Sequence, residues 1–328
     1  MYQPADMSLW HGRCDPLDGR RGERWHQRVR PFPIEGEPLV DSGVVISGFC
    51  CDEGVRRNQG RVGAANGPNA LRRALANLPA NLNTPLYDGG NLLCEGGHLE
   101  QAQIGLSDHC TQVFNGGHRM LLLGGGHEIA WASFRGLQNH LLQQQKAIGR
   151  EARIGIINFD AHFDLRNPAT GPSSGTPFHQ IALHCQAQQQ PFRYLCLGVS
   201  ETSNTQVLFD YAEQFDVEWR LDREMTLLHL DDCRKQLQRF ISQVDWIHLS
   251  IDLDVLPAAV MPGVSAPACP GITLELIEAL LPLITEAQHA SGQPKMKLAE
   301  LAEYNPQLDP TGVGSRTAAR LAYRLLAE

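Results

Sequence analysis

The stretch RIGIINFDAHFD, residues 153–164, decides how the rest of the chain is read. Its first half, RIGIINF, is a near-continuous apolar run of the kind found in strands buried on both faces. Its second half changes character at once, with Asp160, His162 and Asp164 at i, i+2 and i+4. On an extended chain such residues point to one side, so two hard carboxylates and an imidazole are expected to converge at the end of a strand. The C-terminal end of a strand is where open parallel sheets place their ligands.

Similar apolar runs recur on both sides of this stretch: GVVISGF (43–49), RMLLLGG (119–125), YLCLGV (194–199), DWIHLSID (245–252) and MKLAELAEY (296–304). Between them lie segments with helical spacing of apolar residues. GPNALRRALANL (67–78) has a proline near its start, EIAWASFRGLQNHLLQQQ (128–145) begins directly after GGGH, and SRTAARLAYRLLAE (315–328) offers Ser315 as an N-cap. Strands alternating with helices predict an α/β fold with a mostly parallel sheet. Residues 1–40, rich in charge, Pro and Gly, show no period. They read as an irregular N-terminal arm packed on the domain, with Trp10 and Trp25 as anchors. The Gly/Pro/Ser stretch at 167–177 is too short for a linker, so residues 41–328 read as one catalytic domain.

Composition narrows the setting. Of 328 residues, 42% are apolar and 20% charged, which excludes a disordered chain. Lys plus Arg total 28 against 36 Asp plus Glu, and the net charge of -8 excludes a basic nucleic-acid footprint at the level of the whole chain. The nine cysteines are odd in number and form no C-x-x-C pair, which fits a reducing compartment better than a disulfide framework. No apolar run has signal-peptide or membrane-spanning character. The expectation is a soluble, cytoplasmic protein with a small-molecule substrate and neither nucleic acid nor membrane as a partner.

Two further elements repeat the opening device. Ser250-Ile251-Asp252-Leu253-Asp254 follows the apolar run that begins at Trp246, and Gly124-Gly125-Gly126-His127 follows RMLLL. Three strand ends thus supply four Asp and two His. Carboxylates packed together without a cation would repel and raise one another's pKa, so the set points to metal. Oxygen-rich donors with two imidazoles suit Mn²⁺ better than a structural Zn²⁺. Six donors are too many for one four-coordinate ion and natural for two ions sharing carboxylates. Such a pair brings a bridging water towards neutral pKa, and the implied chemistry is hydrolysis at carbon or phosphorus.

Dinuclear phosphoesterases also use D-x-H and H-E elements, but here the H-E element comes first and their intervening acidic motif is missing. The order and context resemble the arginase (ureohydrolase) family instead: GGGHE (124–128), DAHFD (160–164), SIDLD (250–254) and EYNP (303–306), with GRVGAANGPNALRRAL (60–75) similar to the family's early glycine loop and helix. The resemblance spans nearly everything from residue 43 to the end. It implies a three-layer αβα fold around the central sheet. It also implies two Mn²⁺ per subunit, one held by His127 and Asp164 and the other by His162 and Asp254, with Asp160 and Asp252 bridging. Glu303 falls where the family pairs a carboxylate with the substrate's cationic nitrogen group. The family's tendency to assemble implies a homo-oligomer.

Departures from the common pattern narrow the substrate. Most relatives have Asp-His-Ser where this chain has Gly126-His127-Glu128. Arginases and agmatinases carry a His that shuttles a proton to the leaving amine, and here Ser174 stands in its place. GGGHEIAW, SSGTPFHQI and SIDLDVLPAAVMPGVSAP resemble the branch that hydrolyses N-formimidoyl-L-glutamate to L-glutamate and formamide, a step of histidine degradation. On that reading a bridging hydroxide attacks the amidine carbon, and Asp254 or His179 returns a proton to the leaving amine. Arg61 and Arg166 are the candidate receptors for the two substrate carboxylates, with Asn167, Ser173 and Ser174 as hydrogen-bonding neighbours. The alternative is a guanidino hydrolase, such as a guanidinobutyrase, agmatinase or arginase, releasing urea.

Overall fold

Along each apolar run, alternate residues face opposite sides, and the two sides are covered by different helices. The computed structural model describes residues 1–33, 41–148 and 152–326, with the backbone alone for 145–148. The strands are β1 (Tyr2–Gln3), β2 (Arg30–Pro31), β3 (Val44–Cys50), β4 (Leu86–Leu93), β5 (Arg119–Leu123), β6 (Ile154–Phe159), β7 (Tyr194–Val199), β8 (Glu218–Leu221), β9 (Trp246–Asp252) and β10 (Met296–Ala302). They form one sheet in the order β1-β4-β3-β5-β10-β9-β6-β7-β8, with β2 beside β4, and β1 is its antiparallel member.

The helices are α1 (Glu53–Arg57), α2 (Gly67–Leu75), α3 (Leu99–Asn115), α4 (Ile129–Ile148), α5 (Pro177–Ala187), α6 (Gln206–Gln214), α7 (Leu230–Ser242), α8 (Leu274–Thr285) and α9 (Val313–Leu326). Ile46, Leu121, Phe159 and Leu249 share one core with α2, α7, α8 and α9. Val45, Met120 and Leu122 pack on α3 and α4, and Ile156 and Cys196 on α4, α5 and α6. The fold is therefore a three-layer αβα arrangement around a mostly parallel sheet, whose strands are apolar on both faces because both are covered. Among the described residues, no helix is long and apolar enough to cross a membrane.

Three details differ from the sequence reading. Strand β4, LYDGGNLL, has no continuous apolar run, because Asp88 and Asn91 serve a buried arginine. Strand β8, EWRL, is half-buried at the sheet edge and carries charge. Helix α9 begins at Val313, and its start is held by the Asp309 carboxylate, which accepts from Ser315 N at 3.0 Å, while the Ser315 hydroxyl donates to Gly312 O. A carboxylate six residues upstream thus does the work expected of Ser315. The tail of the predicted arm, 34–40, and residues 327–328 lie outside the described residues.

The buried arginine ties the N-terminal residues to the sheet. Arg72 on α2 donates to Asp88 through Nε (2.8 Å) and Nη2 (3.0 Å), to Asn91 Oδ1 (2.7 Å) and to Gly90 O (2.8 Å), with both charged partners essentially inaccessible. Trp10 Nε1 donates to the same Asp88 carboxylate at 2.5 Å. Trp25 is fully buried. Removing one partner of a buried pair strands the other charge, which costs about 3–5 kcal/mol. Asp88→Asn is therefore expected to lower the free energy of unfolding by that amount, and a loss below about 1 kcal/mol in urea unfolding would contradict the assignment.

Candidate metal centre

Strands β5, β10, β9 and β6 are consecutive neighbours, and their C-terminal ends lie level: Leu123 pairs with Leu301, Asp252 with Ala302, and Phe159 with Ile251. The chain leaving β5 is stitched between its neighbours. Gly124 N donates to Leu301 O (2.7 Å), Gly126 N to Cys51 O (2.9 Å) and Glu303 N to Gly125 O (2.8 Å). A Cβ at Gly125 would lie 1.7 Å from Cys51 O, so this position has room only for glycine. The loop turns His127 back over the sheet edge.

The other donors converge by turns, which corrects the extended-chain expectation. Strand β6 ends at Phe159, and Asp160 Oδ1 then accepts from His162 N at 2.7 Å. Asp252 Oδ1 accepts from Asp254 N at 2.8 Å in the same way, within a single helical turn over Leu253–Val255. These Asx-type turns bring i and i+2 together where a strand would have separated them along its axis. Asp164 completes the set from the left-handed region (φ 48°), and Glu303 also has φ 68°, a conformation non-glycine residues adopt only when their surroundings enforce it.

The result is two overlapping groups of potential ligands, His127-Asp160-Asp164-Asp252 and Asp160-His162-Asp254. His127 Nδ1 lies 3.2 Å from Asp160 Oδ2, 2.9 Å from Asp164 Oδ2 and 3.1 Å from Asp252 Oδ2. His162 Nδ1 lies 3.5 Å from Asp160 Oδ1 and 3.1 Å from Asp254 Oδ2. Asp160 presents one oxygen to each group, whereas Asp252 groups here with His127. Although three carboxylates surround it, His127 Nδ1 makes no hydrogen bond, and neither does Asp254 Oδ1. Bare nitrogen and oxygen lone pairs pointing into one buried space fit a metal ion better than a hydrogen-bonded cluster, and the donor set suits a hard or borderline divalent ion.

Electrostatics agree. Burial, together with Asp254 and Asp160, drives the Asp252 carboxyl well above the usual range. Burial and the neighbouring Asp252 and Glu128 do the same to Glu303. Burial also raises Asp254 to about 6, although His162 opposes it. Burial alone would lower His127, but Asp160, Asp164 and Asp252 outweigh it and push the imidazole well up. The site is short of positive charge.

In front of the donors opens a cavity of 460 Å³ lined by His162, Asp164, Asp252, Asp254 and Glu303, with Arg61, Arg166 and Ser174 on its walls. Arg61 is held in place, donating to Ser265 O (2.9 Å) and Val264 O (2.8 Å). Arg166 is exposed, and its guanidinium has no ion-pair partner among the described residues. Glu303 Oε1 accepts from His127 N at 2.8 Å. Asn167 and Ser173 line an adjoining outer cavity instead. Asn167 caps the turn at Pro168–Thr170, accepting from Ala169 N.

His179 is not brought to the cavity. It is buried between the rings of Tyr211 and Phe215, and its Nδ1–H donates to Leu165 O at 2.8 Å. The cavity also takes in Asn58, Gln59, Ser203 and Ser265, which sequence reasoning did not single out. Asn58 Nδ2 donates to Ser174 Oγ at 3.3 Å, and Ser265 Oγ accepts from Arg61 N at 2.8 Å. Only the GVSAP segment beyond SIDLD carried a signal for Ser265, while nothing local marks Asn58 or Ser203.

Comparison with known proteins gives a consistent picture. The arginase family's sequence profile matches residues 42–327. The chain is 51% identical to the formimidoylglutamase of Aeromonas hydrophila over 325 residues, covering 99% of each chain. The crystal structure of formimidoylglutamase from Bacillus subtilis superposes with a TM-score of 0.76 at 23% identity, covering 89% of this chain and 88% of that one. That of Trypanosoma cruzi formiminoglutamase with Mn²⁺ gives 0.74 at 24% identity, covering 87% and 93%. At these identities the two structures speak to the fold.

Because Asp160 faces both donor groups, Asp160→Asn is expected to abolish the rise in melting temperature that Mn²⁺ gives the wild-type protein. A variant that keeps the full Mn²⁺-dependent shift in a thermal melt would break the assignment. Gly125→Ala is expected to lose the same shift, since the Cβ collides with backbone and displaces the loop that carries His127.

Proposed function

This chain belongs to the arginase family, and from that premise we infer that it hydrolyses N-formimidoyl-L-glutamate to L-glutamate and formamide. The observation that carries this reading is its near-complete alignment, at 51% identity, with a formimidoylglutamase. Arg166 on the wall of the same cavity supports it, since a cation there suits a substrate with two carboxylates.

On this reading His127, Asp160, His162, Asp164, Asp252 and Asp254 would hold a pair of Mn²⁺ ions as the resident cofactor. When bound, such a pair supplies water activated near neutral pH and charge stabilisation at the reacting carbon. The chain's own residues do the rest. Glu303, pinned by the His127 amide, faces the cavity and accepts from the cationic formimidoyl nitrogen, which orients the carbon towards the donor cluster. Asp254 Oδ1, free of hydrogen bonds, takes the proton released as water adds. It returns that proton to the glutamate nitrogen as the C–N bond breaks, so the water oxygen leaves in formamide and glutamate leaves as the amine. Arg61 and Arg166 receive the carboxylates, with Ser174 as a polar neighbour, while Asn167 and Ser173 lie in the adjoining outer cavity. His179 has no part in this scheme, because its ring is packed away from the cavity. A cytoplasmic homo-oligomer belongs to the same reading.

A product assay tests it directly. Formamide should form from N-formimidoyl-L-glutamate in the presence of Mn²⁺, whereas urea from arginine, agmatine or guanidinobutyrate at comparable kcat/KM would overturn the reading. Losing a charged hydrogen bond to a carboxylate costs about 1.5–3 kcal/mol, so Arg166→Ala is expected to raise KM by about tenfold or more. In the same steady-state measurements kcat should be nearly unchanged.

A further inference from the structure

Behind the donor cluster, on the side away from the cavity, lies a set of polar groups that the proposed reaction does not use. Ser250 on β9 and Glu300 on β10 are register partners, and Ser250, Glu300, His248 and Ser133 are all fully buried. His127 Nε2 lies 2.8 Å from Ser250 Oγ, which in turn lies 2.8 Å from Glu300 Oε1. The same carboxylate is held by His248 Nε2 at 3.0 Å from Oε1 and by Ser133 Oγ at 2.7 Å from Oε2. Three donors on two oxygens suit an ionised carboxylate, which can only accept.

Counting protons then fixes the direction of the chain. Ser250 has one hydroxyl proton, and Glu300 takes it. The Ser250 oxygen is left to accept, so His127 must donate through Nε2–H. A neutral imidazole protonated at Nε2 presents a bare lone pair at Nδ1. That is the atom found among Asp160, Asp164 and Asp252 without a hydrogen bond.

We propose that Glu300 is a positioning residue which, through Ser250, sets the tautomer and orientation of His127 so that Nδ1 is offered to the metal. The inference rests on the metal reading above and extends it to residues outside the cavity. Histidine ligands generally depend on such a partner at their second nitrogen, and losing it costs roughly 10- to 100-fold in metal affinity. Here the carboxylate acts at one remove, and the serine of SIDLD gains a role as the intermediary.

Titration of metal-stripped protein with Mn²⁺, followed by calorimetry and by the signal of free Mn²⁺ in electron paramagnetic resonance, tests this without an activity assay. Glu300→Gln and Ser250→Ala should each weaken one of the two binding events by roughly 10- to 100-fold. The double variant should be little weaker than the worse single one, because both break one relay. Additive losses, or wild-type affinity in either single variant, would overturn the proposal. If Glu300→Gln does not fold, Ser250→Ala, which deletes one oxygen, decides the matter alone. Wild-type protein that binds no Mn²⁺ would overturn the metal reading itself, whereas wild-type binding unchanged in the variants overturns only the relay.

Discussion

Four aspartates, a glutamate and two imidazoles are held within a few ångströms of one another at the ends of four neighbouring strands, and the rest of the structure answers to that crowding. Like charges at this separation, away from water, cannot all persist without compensation. The upward drive on Asp252, Asp254 and Glu303 shows how far the protein alone falls short. Two divalent ions would neutralise half of the chain's net charge of -8 at the place where it is most concentrated. The acidic balance of the sequence is thus partly the signature of one site and not of a surface that attracts cationic partners.

Holding such a cluster requires a frame that does not relax. The parallel sheet supplies it, since each of the four strands is buried between helical layers and held at both edges by ladder hydrogen bonds. The donors sit one to a few residues beyond that frame, where short turns and two left-handed residues aim them. Strain at Asp164 and Glu303 is tolerable because neighbouring backbone enforces it, as in the hydrogen bond from Glu303 N to Gly125 O.

The cluster also divides the molecule into two sides with different chemistry. Towards solvent, the cavity carries Arg166 and the polar groups of Asn58, Ser174 and Ser203, which suit a charged substrate. Towards the core, Ser250, Glu300, His248 and Ser133 form a fully buried hydrogen-bonded set. The proposed reaction uses the first side. The second explains why a buried carboxylate is kept in the middle of β10, where an apolar residue would otherwise be favoured.

The sequence by itself determined the α/β layering, the strands that carry the site and the side chains that cluster there as candidate donors. Apolar runs on a doubly covered sheet, and acids and histidines just past their ends, are both local patterns. It did not reveal β4, whose Asp88 and Asn91 make sense only beside Arg72. Nor did it show that Asp160, His162 and Asp164 converge through a turn, since that depends on where β6 stops. His179 followed the SSGTPF segment closely enough to suggest proton transfer, yet aromatic packing with Tyr211 and Phe215 decides where its ring goes. Arg61 and Arg166 looked equivalent in the chain, but loop carbonyls hold the first, whereas the second has no ion-pair partner among the described residues. Tertiary structure alone settled these points, because each turns on contacts between segments far apart in the chain, and only the order of strands in the sheet brings those segments together.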